Sequence, residues 1–333
     1  MAAEHLTTIC GKSVTTMANS GRKINYSLRP QKCVERKIIC DLLSKCETTV
    51  PIHSYRYIGF GSFYFTDFVL FHNQLNIDHM ISIERSQLKE RFDFNKPYGC
   101  IKMCYADANA ALSSKIEFSD GVKDVVWLDF DGAFQNNMLL DLMTAIRKVS
   151  SGSFLFTSFN ISILDDVNED DRLGFLKEEF GDYLPQLQEK DIDLQSLPQI
   201  IYDTIKTALE KALYERNTSA AVELNLLPFF FLKYKDDAPM LTIGYFLATD
   251  DEIHNIECSK ASQLPWFNTT STPSVITLPC LTKAEIREIN RLIPGKDAEQ
   301  VHEQIQYLSV RDIRNYMNLY KYYPNFLEAP FYT

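Results

Sequence analysis

Short apolar runs alternate with segments of helical periodicity from residue 53 to residue 160, and no other feature limits the fold as strongly. Five of these runs have the length and composition of strands: 55–60, 79–84, 98–106, 124–130 and 153–160. Strands that alternate with helices pair in parallel. Two later runs, 224–234 and 240–249, flank a polar turn and predict an antiparallel hairpin. The sequence therefore predicts an α/β fold whose doubly wound, mostly parallel, seven-stranded Rossmann-like sheet ends in an antiparallel C-terminal hairpin.

Three regions are predicted along the chain. Residues 1–52 form an N-terminal arm and helix, residues 53–250 the α/β domain, and residues 251–333 a mostly helical C-terminal extension. Residues 165–191 hold ten acidic and three basic side chains, which is typical of a solvated surface insertion. We predict that this insertion is mobile, either as a plain acidic loop or as a lid or docking segment for a protein partner.

The predicted C-terminal extension has recognisable helix signals. Thr282 precedes Glu285 by three residues, which is a capping-box spacing. A further helix is predicted over residues 297–321. The last apolar side chains are expected to dock on the body of the protein or on a protein partner, and they are Phe326, Leu327, Phe331 and Tyr332.

A helix is also predicted from Pro30, where apolar residues recur at helical spacing. Arg29, Lys32 and Arg36 are expected to share another, basic face. This face has two readings, a solvated helix side or a contact for an anion or a substrate phosphate.

The charge of the chain limits its partners. The formal net charge is −10, so the protein repels phosphate and no DNA partner is expected. No apolar run approaches the roughly 18 to 20 residues of a membrane-spanning helix, and residues 1–27 lack a secretory pattern. We therefore expect a cytoplasmic protein without a membrane partner, whose eight cysteines are reduced.

Glycine or a carboxylate stands at the end of each of the first four predicted strands. Gly59 and Gly61 flank Phe60 and allow close approach of a ligand to the backbone. Glu84 follows the second strand, where a carboxylate can accept hydrogen bonds from both ribose hydroxyls. Asp107 follows the third strand and can accept from an adenine amino group. This order predicts a nucleoside site, although a single Gly-x-Gly is more often a turn and a single acid a helix cap.

Asp129 and Asp131 close the fourth strand and are the candidate catalytic residues. Each can orient an acceptor or take up its proton. Asn160 ends the fifth strand, and an oxygen-rich Mg²⁺ site with the two carboxylates is the lesser alternative. Our preferred prediction includes no metal.

The order of elements, with GFG after the first strand, acids after the next two, DFDG after the fourth and a terminal hairpin, resembles the class I S-adenosylmethionine-dependent methyltransferases. The similarity covers about residues 55–250. Within that family, WLDFDGAF and the later SGSFLFTSFN distantly resemble the motif region of tRNA guanine-N2 methyltransferases. The resemblance implies S-adenosylmethionine as cofactor and a methyl acceptor, through N or O, on a small molecule or an RNA.

The resemblance also implies roles for individual residues. Gly59 and Gly61 would pass under the methionine part of the cofactor, with Phe60 between them. Glu84 would hold the ribose hydroxyls and Asp107 the adenine amino group. Asp129, in contact with the cofactor, and Asp131 would face the methyl group and the acceptor.

Two positions depart from the family pattern and motivate alternatives. Tyr57 and Phe63 stand where the family usually has an acid and a small residue. One alternative is therefore a catalytically degenerate interaction module in a multiprotein assembly, of the kind that resembles components of bacterial defence systems. A second is an NAD-dependent oxidoreductase that uses the same glycines and Glu84.

Overall fold

The computed structural model describes residues 29–324 of the chain. Its strands, in chain order, are β1 (Arg56–Gly59), β2 (His79–Glu84), β3 (Ile101–Tyr105), β4 (Asp124–Ala133), β5 (Ser153–Asn160), β6 (Asn225–Lys235), β7 (Pro239–Ala248) and β8 (Ser274–Val275). They form one sheet in the order β3-β2-β1-β4-β5-β7-β6-β8. Strands β1 to β5 are parallel, and β7 lies antiparallel between β5 and β6. The predicted fold class is confirmed.

The strand count differs by one from the prediction. Strand β8 is only two residues long and pairs in parallel with β6 at the edge of the sheet. Two residues carry no readable alternation of apolar and polar side chains, which is why the sequence did not predict this strand.

Helices cover both faces of the sheet. They are α1 (Pro30–Ser44), α2 (Thr66–Leu75), α3 (Lys89–Asn95), α4 (Asn136–Lys148), α5 (Arg172–Phe180), α6 (Leu197–Asn217), α7 (Asp250–Cys258), α8 (Lys283–Leu292), α9 (Ala298–Gln304) and α10 (Val310–Leu319). Alternate strand residues enter opposite cores, as strand geometry requires. Val126 and Leu128 pack with α4 and α6, whereas Val125 and Trp127 pack with α1 and α2.

The helical spacing of apolar residues predicts a helix over residues 63–75, whereas helix α2 begins three residues later, at Thr66. Ser62 and Phe65 both have positive φ, so residues 60–65 form a tight loop before the helix can start. The loop is closed by the Phe65 N–H, which donates to the Gly61 carbonyl at 2.7 Å. Apolar side chains in this loop extended the helical pattern without being helical.

The prediction of one helix over 297–321 was wrong. Helices α9 and α10 are separate, and Ser309 caps the second by accepting from the Asp312 N–H. They pack with α8 around a small core of their own that contains Ile289 and Ile313. Helix α8 itself starts at the predicted capping box of Thr282 and Glu285.

Residues 165–191 are more than an acidic loop. They contain helix α5, which buries Leu173, Leu176 and Phe180 against the sheet core. The Glu179 carboxylate also accepts from the Asn136 N–H at the start of α4, at 2.7 Å. The sequence pattern of this segment is dominated by charge, but the three buried apolar side chains fix its position against the sheet.

The residues predicted to form the start of the N-terminal arm, 1–27, and the aromatic side chains of the C-terminus lie outside the described residues. The domain boundaries stay a prediction.

Gly244 of β7 gives a test of this packing. A Cβ at this position would lie 2.5 Å from the Phe230 ring of β6, and both strands are buried. We expect Gly244→Ala to lower the free energy of unfolding by about 1–3 kcal/mol through overpacking, as measured by urea denaturation. Gly174→Ala is the matched control, because Gly174 is helical, exposed and has no atom near its would-be Cβ. This control should raise stability by about 0.5–1 kcal/mol, and equal losses in both variants would contradict the packing argument.

Candidate functional site

A cleft of about 310 Å³ opens at the carboxyl ends of β2 and β3. Two carboxylate residues line it, Glu84 from the end of β2 and Asp107 after β3. The basic residues Arg85 and Lys89 and the aromatic residue Tyr105 are among the other residues that line it. Its volume lies at the lower end of the roughly 300–1,000 Å³ of small-molecule sites.

Glu84 is fixed in this cleft by backbone donors. The Ser62 N–H donates to Glu84 Oε1 at 2.8 Å, which joins the loop after β1 to the end of β2. Burial raises the pKa of Glu84 to about 7, the N–H groups of Ser62 and Gly61 oppose this rise, and the charge of Asp131 adds to it. Glu84 is therefore a held, partly desolvated carboxylate that changes charge near neutral pH.

Asp107 and Asp131 lie on the same edge of the sheet. The Asp107 carboxylate caps the helical turn that follows β3, because Oδ1 accepts from the Ala110 N–H at 2.8 Å. It is thus both a helix cap and a cleft-lining group. Asp131 is exposed and close enough to Glu84 for its charge to act there. Gly132, with φ of +137°, follows Asp131 where the pairing of β4 with β5 shifts register.

The two glycines are required by the protein's own packing. A Cβ at Gly59 would lie 2.5 Å from the Tyr57 hydroxyl, and one at Gly61 would lie 2.6 Å from the Phe65 ring. The space that glycine leaves is therefore occupied, at least in part, by side chains of this chain. Phe60 is half-buried and packs edge-on against Phe130, with 5.5 Å between the ring centroids.

Tyr57 and Phe63 do not fill the cleft between β2 and β3. Tyr57 does not line the cleft and is buried against the rings of Phe68 and Phe71 of α2. Phe63 stacks on Phe92 of α3, with centroids 4.5 Å apart. The two departures from the family pattern are accommodated in the core.

Asp129 lies apart from the cleft-lining carboxylates, in a buried ion-pair network with α1. It accepts from Lys32 Nζ at 2.8 Å and from an Arg36 terminal nitrogen at 2.9 Å. Burial alone would raise the pKa of Asp129, but the charges of Lys32 and Arg36 hold it below its usual value. Strand alternation explains the placement, because Asp129 points to the same side as Trp127, where α1 packs.

Both readings of the basic helix face were wrong, since Lys32 and Arg36 are 2% and 4% exposed. They continue the helical stripe of Ile39 and Leu43, because residues 32, 36, 39 and 43 follow the i, i+4, i+7, i+11 spacing. That spacing was the signal in the sequence. Arg29, at the helix start, pairs instead with Asp237 at 3.0 Å.

Two further carboxylates complete the network. Arg36 donates through Nε to Asp67, in the first turn of α2. Glu35 is fully buried and accepts from the hydroxyl groups of Thr242 and Ser158. Burial raises the pKa of Glu35 to about 7. When Glu35 carries a proton, the two cations and the two Asp carboxylates balance, so the network has no net charge.

The structure also bears on Asn160 and on the alternative of a metal site. Asn160 Oδ1 accepts from the Ser162 N–H at 2.7 Å and so caps the turn after β5. Over residues 29–324, no group of three or more His, Cys, Asp or Glu side chains is placed to hold a metal ion. Within the same residues, no helix is both long and apolar enough to span a membrane.

Glu35 predicts a pH dependence of stability. The unfolded chain ionises this group near 4.5 and the folded chain near 7, so the folded state binds more protons between these values. Stability contributed by the protonated form is lost as pH rises through this window, up to about 3 kcal/mol. We expect Glu35→Gln to gain stability relative to the wild type between pH 5 and pH 8 in urea unfolding. The exposed Glu47, just after the same helix, supplies the control Glu47→Gln. Parallel curves for the wild type and Glu35→Gln would contradict the assignment.

The sequence of the chain also matches a known protein family. A family described as "Putative O-methyltransferase" matches residues 24–331. Among solved structures, Trm1 from Pyrococcus horikoshii in complex with S-adenosyl-L-methionine is 12% identical, with a TM-score of 0.44 over 88% of this chain and 76% of that one. The fibrillarin pre-rRNA processing protein from Methanococcus jannaschii is 14% identical, with a TM-score of 0.34 over 64% and 75% of the two chains. The N-methyltransferase NodS from Bradyrhizobium japonicum is 11% identical, with a TM-score of 0.35 over 65% and 97%.

No curated protein matches the chain in sequence. The family match, by contrast, runs through α1, the sheet and the C-terminal helices. The predicted resemblance to class I methyltransferases is thereby confirmed, and S-adenosylmethionine is the cofactor that goes with it. The chain belongs to this family of methyltransferases.

Proposed function

We propose that the protein transfers a methyl group from S-adenosylmethionine to an oxygen or nitrogen acceptor, and that the cleft beside Glu84 receives the adenosine part. The observation that carries the proposal is the half-buried Glu84 carboxylate at the end of β2, which lines the cleft and is held by the Ser62 N–H. An ionised carboxylate can accept both hydroxyl hydrogens of a ribose. The carboxylate acceptors of the cleft therefore suit a nucleoside.

The remaining cleft residues suit the base. Asp107 uses one carboxylate oxygen for the helix cap, and carboxylate oxygens have capacity for further hydrogen bonds, such as one from an adenine amino group. The loop of residues 60–65, whose Ser62 N–H reaches Glu84, would carry the methionine part along its backbone, since side chains of this chain already take up the space beside Gly59 and Gly61. Phe60 would contribute apolar contact there, together with Phe130.

S-adenosylmethionine supplies an electrophilic methyl group on a sulfonium, so the protein's task is mainly to align donor and acceptor. Asp131, on the same edge of the sheet as Glu84, would orient the acceptor or take up its proton. Asp129 is paired with two cations and would act by fixing the end of β4 rather than by accepting a proton.

For the methyl acceptor we propose a chemical class and not a single compound. The family description favours an oxygen acceptor, and both a small molecule and an RNA remain in the proposal. An acceptor screen with labelled S-adenosylmethionine, using pooled small hydroxylated and aminated compounds in one arm and RNA in the other, separates them. The acidic segment 165–191 and the aromatic C-terminus remain the proposed docking elements for a protein partner, and the cytoplasm the proposed location.

A binding experiment tests the site. Calorimetric titration with S-adenosylhomocysteine should give micromolar affinity, and Glu84→Ala should weaken it at least about tenfold, because a charged hydrogen bond contributes about 1.5–3 kcal/mol. Glu90→Ala is the control, since Glu90 is an exposed carboxylate on α3 that does not line the cleft. NAD is titrated in parallel. Binding of NAD alone would support the oxidoreductase, and binding of no nucleoside would support the interaction module.

The affinity should also depend on pH. Protonation removes an acceptor from Glu84, whose pKa is about 7. The dissociation constant for S-adenosylhomocysteine should therefore rise by up to about tenfold per pH unit below that value. Asp131→Asn should move the midpoint to lower pH, because the Asp131 charge raises the pKa of Glu84. A pH-independent affinity in the wild type would argue against Glu84 as the ribose acceptor.

A further inference from the structure

Arg36 forms ion pairs with carboxylates on two elements, α2 and β4, that lead to the proposed methyl-transfer site. Its guanidinium donates through Nε to Asp67 and through a terminal nitrogen to Asp129 at 2.9 Å. Asp67 is the second residue of α2, directly after the loop of residues 60–65. Asp129 lies where the regular pairing of β4 with β5 ends, two residues before Asp131. One side chain thus joins the cofactor loop to the strand that carries the candidate catalytic carboxylate.

Arg36 packs on the buried ring of Trp127, which restricts its side chain. The guanidinium carbon lies 5.3 Å from the centroid of the Trp127 ring. Trp127 Nε1 donates to Ser158 Oγ at 2.9 Å, and the Trp127 carbonyl lies 3.1 Å from where a Cβ on Gly59 would stand. Trp127 and Gly59 are register partners on neighbouring strands. Arg36 therefore contacts Asp67 and Asp129 directly, and its neighbour Trp127 lies beside Gly59 across the sheet.

Stability alone does not account for such a network. Removing charges from water costs several kcal/mol per ion, and apolar side chains of similar volume often stabilise a core as well or better. An ion-pair network constrains the orientation of its members, which an apolar cluster does not. The planar guanidinium of arginine donates in fixed directions and so fixes where each carboxylate lies. Lys32 adds a second donor to Asp129 at 2.8 Å. The end of β4 is therefore held more tightly than apolar packing would hold it.

We propose that Arg36 is a positioning residue for methyl transfer, which sets the spacing between the loop of residues 60–65 and the end of β4 by holding Asp67 and Asp129 at once. This inference rests on the proposed function and deepens it, because it gives α1 a role in the same site. Helix α1 is then part of the site's architecture and more than a cover for the sheet.

The test compares two arginines that pair with carboxylates of the same strand, β4. Arg56 also makes a fork, which is half-buried, with Nε 2.7 Å from Asp124 Oδ1, but at the amino end of β4. Arg36→Lys and Arg56→Lys each keep the charge and remove a fork, so both should lower the melting temperature. Asp67→Asn is a third variant that removes the negative charge on the loop side of the bridge, and so weakens that side alone, while Arg36 stays paired with Asp129.

Two readouts separate positioning from general stability. Hydrogen exchange of the backbone amides over residues 59–69 and 128–133 should become faster in Arg36→Lys and Asp67→Asn, and stay as in the wild type in Arg56→Lys. The dissociation constant for S-adenosylhomocysteine, measured well below each melting temperature, should rise about fivefold or more in the first two variants and less than about twofold in Arg56→Lys.

The outcomes distinguish the two proposals. If the wild type binds no S-adenosylhomocysteine, the proposed function fails, while the exchange data still decide whether Arg36 orders the loop. If the wild type binds and Arg36→Lys matches Arg56→Lys in affinity and exchange, Arg36 only stabilises the fold and the inference is overturned.

Discussion

A parallel sheet gathers the carboxyl ends of its strands on one edge, and every group in the proposed site depends on that constraint. Glu84 and Asp107 meet at one cleft although 23 positions separate them in the sequence, because β2 and β3 are neighbours in the sheet. Asp131 arrives beside Glu84 from β4 for the same reason. Without parallel pairing, these carboxylates would be scattered turn residues.

Asp129 and Asp131 show how one strand serves two environments. Alternation along β4 directs Asp129 to the α1 side, where two buried cations neutralise it. Asp131 follows where the pairing with β5 becomes irregular and remains exposed at the edge. Two acids that look equivalent in the sequence therefore differ in charge partner and in accessibility, which suits one for positioning and the other for contact with an acceptor.

Much of the fold followed from the sequence because its signals are local. The strands β2 and β5 begin and end at the predicted residues, since apolar runs bounded by polar turns carry that information. The capping box at Thr282 likewise marked the start of α8. The sequence was less informative where a tertiary contact overrides a local pattern, as in α5, where three buried apolar side chains outweigh an acidic composition.

The candidate site divides in the same way. Chain order and residue type alone determined that Gly59, Gly61, Glu84 and Asp107 follow successive strands, and hence that a nucleoside could bind at one edge. Only the tertiary structure decided that Asp129 pairs with Lys32 and Arg36, and that the glycines make room for Tyr57 and Phe65. For Asp129 the physical reason is distance along the chain, because Lys32 and Arg36 lie more than 90 residues before it and meet it only once the sheet has formed. For the glycines it is the path of the backbone, because the positive φ of Ser62 and Phe65 folds the loop after β1 back on itself.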